Sequence, residues 1–313
     1  MNISELSEVL LNNVPVDVIK FIAREHQLSY SGSNKGEVVE DLIRDAQTND
    51  KVEILRNIAS QYQFAGRTSV DWYESDEDIQ FRRCKETIIE KYSTDIFVFG
   101  RVRPELDKEP KLIYVNADEE EQQILLMFAY NGPIRRILVD YEPRVDNPTY
   151  FDYVIIKFNP FTVESRASFN MSKKLMNSCK DIFSLDEVQL SRVEIIGDDQ
   201  ISILKTKLGA ELQLARHQGL VGDYDWIEVL ADPETGDLSQ SEHYLQELAT
   251  SPSKRKIFVF EFNYSFGYSE KVTLEVNTEN GRFWFRSAVG EEAIRYVLQK
   301  VRETVNSEGS LIT

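Results

Sequence analysis

The sequence predicts an α+β fold, with a small N-terminal helical domain followed by a mostly antiparallel β-rich body and a C-terminal helix. Up to Tyr92, apolar residues recur at spacings of three and four, which is typical of amphipathic helices. From Asp95 they alternate over short runs separated by Gly, Pro, Asn and Asp, which is typical of strands and turns. The helical spacing returns from Glu291 to Val305. We expect three regions, namely residues 1–92, 93–190 and 191–313.

The elements follow from these patterns in chain order. The pattern predicts helices over 51–62 and 79–92, with shorter helical pieces over 175–183 and 185–190. Strands are expected at 124–130, 134–141, 150–158, 193–196, 257–264, 271–276 and 282–286, and residues 70–72 suit a short strand or an ordered connector. Asn131-Gly132-Pro133 predicts a hairpin between the strands 124–130 and 134–141, and Asn280-Gly281 predicts one between 271–276 and 282–286. No repeat of fixed period is visible.

The acidic composition predicts that the protein repels nucleic acid at long range. The 36 basic and 53 acidic residues give a formal net charge of -17, so any contact with phosphate has to be local. The acidic residues concentrate in 74–78, 118–121 and 222–247. Such runs are typical of solvated loops, and the alternative is a surface for a basic protein.

The chain is expected to be intracellular and soluble, without a membrane contact. Its longest apolar runs have strand length, and the N-terminus lacks the basic start and apolar core of a signal peptide. The two cysteines, Cys84 and Cys179, lie far apart and outside any metal-ligand spacing. Free thiols fit a reducing compartment.

Residues 14–46 form the most informative segment, because they predict two short helices joined by an extended link. Helical spacing places Val18, Ile19 and Ile22 on one face, and it resumes after the link from Val38 to Ile43. Leu28 and Tyr30 alternate between them as in a strand. A cap at Ser33 or Asn34, with Glu37 behind it, is expected to start the second helix.

This segment resembles the SAP motif, a helix-extension-helix element. The residues that fall on its pattern are Leu28, Ser31, Gly32, Lys35, Val39 and Leu42. The resemblance implies a DNA or chromatin contact through backbone amides at the N-terminus of the second helix and through a basic residue there. The nucleic-acid-binding residues expected here are Lys20, Arg24, Gly32, Lys35 and Arg67. The alternative is a plain helical hairpin that packs on the rest of the protein.

The order of the segments up to about Phe183 also resembles the kinetochore family of centromere protein N and its yeast relative. The matching residues are Val14-Pro15, Val70-Asp71-Trp72-Tyr73 and the run from Asn147 to Val154. This resemblance implies a non-catalytic protein that contacts a nucleosome with its N-terminal unit and a protein partner with its C-terminal sheet. The basic residues of that family's first helix are replaced here by Glu5, Glu8, Val9 and Asn13.

No common catalytic motif occurs in the sequence. A P-loop, a Gly-rich dinucleotide loop, HExxH and GxSxG are all missing, and none of the three histidines pairs with another at metal-ligand spacing. Carboxylates with a lysine leave a metal-dependent nuclease as an alternative. The two sets are Asp152 with Lys157, and Glu194, Asp198 and Asp199 with Lys205. The odd separation of Asp152 and Lys157 puts them on opposite faces of a strand.

The aromatic residues near the C-terminus have two interpretations. Phe258, Phe260 and Phe262 share one face of a predicted strand, and the aromatic run continues to Tyr268. Such a face suits core packing, or the stacking of single-stranded nucleic acid. Since no basic residues are interleaved with it, we expect core packing.

The sequence therefore predicts a non-catalytic adaptor without a cofactor or metal. We expect it to contact DNA or chromatin through its N-terminal helical unit and a protein partner through its β-rich body, in particular the C-terminal sheet. One alternative is a metal-dependent nuclease or an accessory subunit of one. The other is a protein-protein interaction module that does not bind nucleic acid.

Overall fold

A computed structural model confirms the α+β class, with N-terminal helices, antiparallel sheets and a C-terminal helix. It describes residues 1–184, 188–195, 197–218, 226–232, 236–249 and 251–309. For residues 307–309 it describes the backbone alone. The chain forms two compact units, one of residues 1–68 with 194–313 and the other of residues 69–193. The sequence placed its boundaries at 92 and 190 instead. Residues 69–92 join the middle unit because their strand pairs with residues 162–166.

The first unit begins with four helices that bury one apolar core. They are α1 (Ile3–Asn12), α2 (Val16–Glu25), α3 (Lys35–Thr48) and α4 (Val52–Tyr62). Helices α1 and α3 start with capping boxes, in which an asparagine accepts the amide of a glutamate three residues later. The core residues include Leu6, Leu10, Val18, Ile22, Leu42, Ile58 and Tyr62. The amphipathic spacing seen in the sequence produces this core.

The second unit is an antiparallel sheet covered on one face by two helices. Its elements are β1 (Ser69–Glu74), α5 (Phe81–Tyr92), β2 (Lys111–Asp118), β3 (Gln123–Asn131), β4 (Arg135–Val139), β5 (Glu142–Asp146), β6 (Thr149–Phe158), β7 (Phe161–Arg166), α6 (Phe169–Phe183) and β8 (Ser191–Val193). Strands run in the order β2-β3-β6-β7-β1-β8. The side chains of Ile124, Leu126 and Phe128 on β3 pack with those of α5 and α6. Among the strands that the structure describes, β4 and β5 pair only with each other.

The C-terminal part of the first unit contributes antiparallel sheet strands and helices of its own. Its elements are α7 (Asp198–Leu208), β9 (Glu211–Gln218), β10 (Trp226–Leu230), α8 (Glu242–Glu247), β11 (Ser253–Asn263), β12 (Ser269–Asn277), β13 (Arg282–Phe285) and α9 (Glu291–Gly309). The strand order is β10-β9-β11-β12-β13. Helices α7 and α9 contact each other, and α9 also contacts α4.

The N-terminal helices join this sheet through the aromatic turn between β11 and β12. The ring of Tyr264 lies 6.3 Å from that of Tyr62, and the ring of Tyr268 lies 5.2 Å from that of Phe21. The Asn13 side-chain amide also donates to the carbonyl of Tyr62 at 3.2 Å. Core packing, rather than a nucleic-acid stacking platform, accounts for these aromatics.

The two units repeat one order of elements: a helix, four antiparallel strands paired in succession, and a second helix. In the second unit the order is α5-β2-β3-β6-β7-α6, and in the first it is α7-β9-β11-β12-β13-α9. The second unit inserts the β4-β5 hairpin between its second and third strands. The first unit inserts β10 and α8 between its first and second strands. The insertions are therefore additions to a shared framework.

Several local predictions can be compared with the structure. The hairpin at Asn280-Gly281 is confirmed, because β12 pairs antiparallel with β13. The hairpin between 124–130 and 134–141 is wrong, because β3 pairs with β2 and β6 instead. Residues 185–187 lie outside the described residues, and 188–190 have no regular structure. The strand predicted over 193–196 lies earlier in the chain, at Ser191–Val193, so the two share only Val193, and residue 196 lies outside the described residues.

The structure also bears on membrane insertion. Among the helices that the structure describes, none has the length and apolar character needed to cross a membrane.

Candidate nucleic-acid interface and hairpin arm

The helix-extension-helix segment forms as α2, a link over 27–34, and α3. The link is not a strand, since no strand is assigned to it. Leu28 is buried in the helical core, whereas Tyr30 is exposed. The second helix starts at Lys35, where the Asn34 side chain accepts the Glu37 amide at 3.0 Å.

The backbone amides of the link are bonded by carboxylates of α3. Glu37, Asp41 and Asp45 recur every four residues and therefore share one side of the helix. The bonds run from the Ser29 amide to Asp45 (3.2 Å), from the Ser31 and Gly32 amides to Asp41 (2.9 and 3.2 Å), and from the Ser33 amide to Glu37 (2.8 Å). We call these three acids the carboxylate clamp. These four amides of the link thus already have anionic acceptors.

Two carboxyl groups of the clamp, those of Glu37 and Asp41, have lowered pKa values. The backbone amide of Ser33 is the largest of the causes that lower the pKa of the Glu37 carboxyl. The amide of Ser31 is the largest cause that lowers the pKa of Asp41. Fixed negative charge therefore lies beside the link, where it repels phosphate.

Gly32 is required by the close approach of the link to α3. A Cβ atom built on Gly32 would lie 2.3 Å from the Cβ of Glu37 and 2.7 Å from its backbone carbon. No side chain fits at this distance. The glycine that the SAP-like pattern contains thus has a packing reason that is independent of any ligand.

Lys35 points toward the protein. Its ammonium group donates to the backbone carbonyl of Leu11 at the end of α1, a favourable position for a cation at a helix C-terminus. Partial burial lowers the pKa of Lys35.

The other three predicted basic residues are exposed. Lys20 and Arg24 lie one turn apart on α2, and Arg24 pairs with Glu25 at 3.4 Å and lies over the ring of Phe21. Arg67 is exposed between α4 and β1, outside the helix-extension-helix segment. Lys20 and Arg24 are thus the pair on this segment that remains open to an anionic surface.

The carboxylate sets proposed for a nuclease have other partners. Asp152 accepts the Tyr130 hydroxyl at 2.7 Å, while Lys157 pairs with the buried Glu164 at 3.2 Å. Asp198 pairs with Lys256, and Lys205 pairs with Asp237 at 2.9 Å. The part of the chain that the structure describes contains no cluster of three or more His, Cys, Asp or Glu arranged to hold a metal ion.

Two of the histidines have distinct surroundings. His217 is buried, with its ring nitrogens 3.0 Å from the Ser251 carbonyl and 3.1 Å from the Tyr244 hydroxyl. His243 lies at the surface beside Glu247. Burial lowers the pKa of His217, which fits a satisfied core histidine rather than a catalytic base.

The β4-β5 hairpin presents the most exposed of the large apolar side chains that the structure describes in the second unit. Tyr141 is 95% exposed, and Leu138 and Val145 are each 71% exposed. The turn lies at Asp140 and Tyr141, both with positive φ, as a two-residue type I′ turn requires. We call residues 134–146 the hairpin arm. The alternating pattern predicted a strand here, but nothing in it indicated that the strand leaves the main sheet.

Comparison with known proteins does not place this chain in a family. No family model and no curated protein matches this chain.

Proposed function

We propose that this chain is a non-catalytic adaptor that binds a protein partner through the hairpin arm of its β-rich body. The observation that carries this proposal is the exposure of Leu138, Tyr141 and Val145 on a two-stranded sheet that has no core of its own. Surfaces of this kind are typical of interaction sites.

Two further features support the proposal. A two-stranded hairpin alone is marginally stable in water, so the arm gains most from a partner. It is also an insertion into the framework that both units share, and insertions on a rigid scaffold commonly carry binding function. The arm therefore lies outside the shared framework and is available for recognition.

Quantitative affinity purification from native lysate tests this proposal. The wild type is compared with the double variant Leu138→Ser/Val145→Ser and with the control Leu245→Ser, which removes an exposed leucine from α8. All three should keep the same circular dichroism. We expect one protein to co-purify in fixed ratio with the wild type and the control and to be lost from the arm variant. An unchanged protein set in the arm variant would contradict the proposal.

A second candidate function is a DNA contact through the N-terminal helices, favoured by the exposed pair Lys20 and Arg24. The test uses the full chain, because residues 1–68 form one unit with 194–313. Labelled duplex DNA is titrated at several salt concentrations with the wild type and with Lys20→Glu/Arg24→Glu. Binding that weakens with salt and disappears in the variant supports this function. No binding at low salt excludes it.

The non-catalytic part of the proposal has a separate test. Plasmid DNA is incubated with the protein and Mg²⁺ or Mn²⁺. We expect no cleavage. Cleavage that Glu194→Ala abolishes would favour the nuclease alternative.

A further inference from the structure

We propose that the outer edge of β4 accepts an extended segment of a partner protein as a third strand of the hairpin arm. The segment carries a carboxylate opposite Arg136 and an aliphatic residue opposite Leu138. This inference rests on the proposed adaptor function and specifies how the partner is held.

The register of the arm shows which main-chain groups are available. Val139 pairs with Glu142 across the two-residue turn, and such a pair exchanges both of its hydrogen bonds. Every second pair does the same, so the bonded pairs also include Ile137 with Arg144 and Arg135 with Asp146. The amide and carbonyl groups of Arg136 and Leu138 consequently point away from β5. They form the outer edge of β4.

The opposite edge of the arm is blocked. By the same alternation, Pro143 and Val145 occupy the outward positions of β5. Proline has no amide hydrogen and is a common protection of an edge strand. Strand β4 contains no proline and no acidic residue. An added strand can therefore pair with β4 but not with β5.

The side chains of the open edge indicate the chemistry of the added strand. Arg135 donates to the Tyr150 hydroxyl and lies opposite Asp146. Arg136 is exposed and makes no hydrogen bond or ion pair within the described part of the chain. A carboxylate directly opposite Arg136 supplies the missing partner.

The same face of the arm is otherwise apolar. Cross-strand pairing places Arg136 and Leu138 on one face with Val145 and Pro143. Because Leu138 and Val145 are mostly exposed, an aliphatic residue opposite Leu138 extends an existing apolar surface. The added segment is thus extended and carries an acidic and an aliphatic residue two positions apart, on the same face.

A second copy of this chain is a poorer occupant. Antiparallel pairing of two β4 strands about Ile137 places Arg136 opposite Leu138 of the other copy and supplies no carboxylate. Each copy also carries a net charge of -17, so two copies repel each other. A segment of a different protein is therefore the occupant.

Fluorescence anisotropy with two labelled peptides tests the inference. The probe peptide carries glutamate and valine in turn at every second position, with serine between them, so that both types lie on the face toward Arg136 and Leu138. The comparison peptide has lysine in place of each glutamate. Leu138→Pro removes an outward amide of β4, whereas the control Val145→Pro removes one on the blocked edge. Both positions lie outside the bonded pairs, so the hairpin's own hydrogen bonds remain.

We expect the glutamate peptide to bind the wild type and Val145→Pro equally and to lose about tenfold or more in affinity with Leu138→Pro. Arg136→Glu should bind the lysine peptide more tightly than the glutamate peptide. Hydrogen exchange of the Arg136 and Leu138 amides in the wild type should slow when the glutamate peptide binds. Failure of the wild type to bind up to about 1 mM peptide, or unchanged exchange at these amides, would overturn the inference.

The two proposals fail in different ways. If the peptide does not bind but Leu138→Ser/Val145→Ser loses its partner, the arm binds through its side-chain face and edge pairing is wrong. If the partner is also retained by that variant, the adaptor function through the arm is wrong as well.

Discussion

Asp41 accepts a hydrogen bond from the backbone amide of Gly32, nine residues earlier in the chain, at 3.2 Å. The same carboxylate oxygen accepts the amide of Ser31. This carboxylate therefore holds the link against α3 and places a negative charge beside it. The link between α2 and α3 is therefore satisfied within the protein, and the hairpin arm is left as the more open surface.

Asp41→Asn should loosen the link. The charge-assisted acceptor for two amides is lost, so the Ser31 and Gly32 amides should exchange hydrogen faster than in the wild type. Hydrogen exchange resolved by NMR measures this change. Glu40→Gln is the matched control, because Glu40 is exposed on the same helix and outside the clamp. Equal exchange in Asp41→Asn and Glu40→Gln would show that the carboxylate does not hold the link.

Gly32→Ala should destabilise the protein, because its Cβ would lie 2.3 Å from that of Glu37. A cost of about 1–3 kcal/mol is typical of such overpacking. Gly36→Ala is the control, since its Cβ would meet only the Asn34 side-chain oxygen at 3.3 Å. Alanine at this helical position should be neutral or stabilising by up to about 1 kcal/mol. Urea unfolding of both variants measures the difference, and equal midpoints would contradict the packing argument.

Asp152→Asn should stabilise the protein at pH 8 but not at pH 4. Burial raises the pKa of Asp152 from 3.8 to about 6, so between these values the folded state binds more protons than the unfolded state. Stability is therefore lost as the pH rises through this window.

Ionisation of the buried Asp152 carboxyl lowers the free energy of unfolding by on the order of 1–2 kcal/mol after solvent screening. Asparagine at position 152 removes this loss. Urea unfolding of the variant and the wild type at both pH values measures it. The exposed Asp76→Asn serves as control. A stability difference independent of pH would contradict the raised pKa.

His217 should remain neutral when free histidine titrates. Burial lowers the pKa of His217 from 6.5, so the unfolded state takes up a proton first, and stability falls as the pH drops below that value. NMR titration of the imidazole should show a pKa of His217 below that of free histidine. His217→Gln should remove part of the loss of stability at acidic pH, and His243→Gln, at the exposed histidine, is the control. A pKa of His217 at or above that of free histidine would refute this account.

Much of the local structure follows from the sequence. Amphipathic spacing predicts α2, α3, α4, α5 and α9, and Asn280-Gly281 predicts the turn between β12 and β13. These elements depend on neighbouring residues, so a local pattern suffices. The capping box at Asn34 is likewise visible as an asparagine followed three residues later by a glutamate.

The pairing of distant segments does not follow from such patterns. Asn131-Gly132-Pro133 suits a hairpin turn, but it leads instead into the arm, whose own turn lies at Asp140 and Tyr141. The repeated element order is also hidden, because the two insertions differ in position and length and leave no fixed period. The topology depends on which strands pair with each other in the buried sheet. The alternation of apolar and polar residues is similar in all strands and therefore does not identify the pairs.

In the candidate site too, the sequence predicts the local structure but not the contacts between segments. The SAP-like pattern predicts the helices and the need for Gly32, but not that Glu37, Asp41 and Asp45 bond the link amides. Their spacing of four residues was a usable signal, since it places three acids on the helix side that the preceding link can reach. The pattern did not show that the link runs along the side of α3 that carries these acids.

Hydrogen exchange mass spectrometry of the protein with and without its purified partner tests the central claim most directly. The adaptor account predicts that peptides covering residues 134–146 gain protection in the complex, while residues 20–35 exchange as in the free protein. Protection confined to residues 20–35, with the arm unchanged, would contradict the account and would return the function to the N-terminal helices.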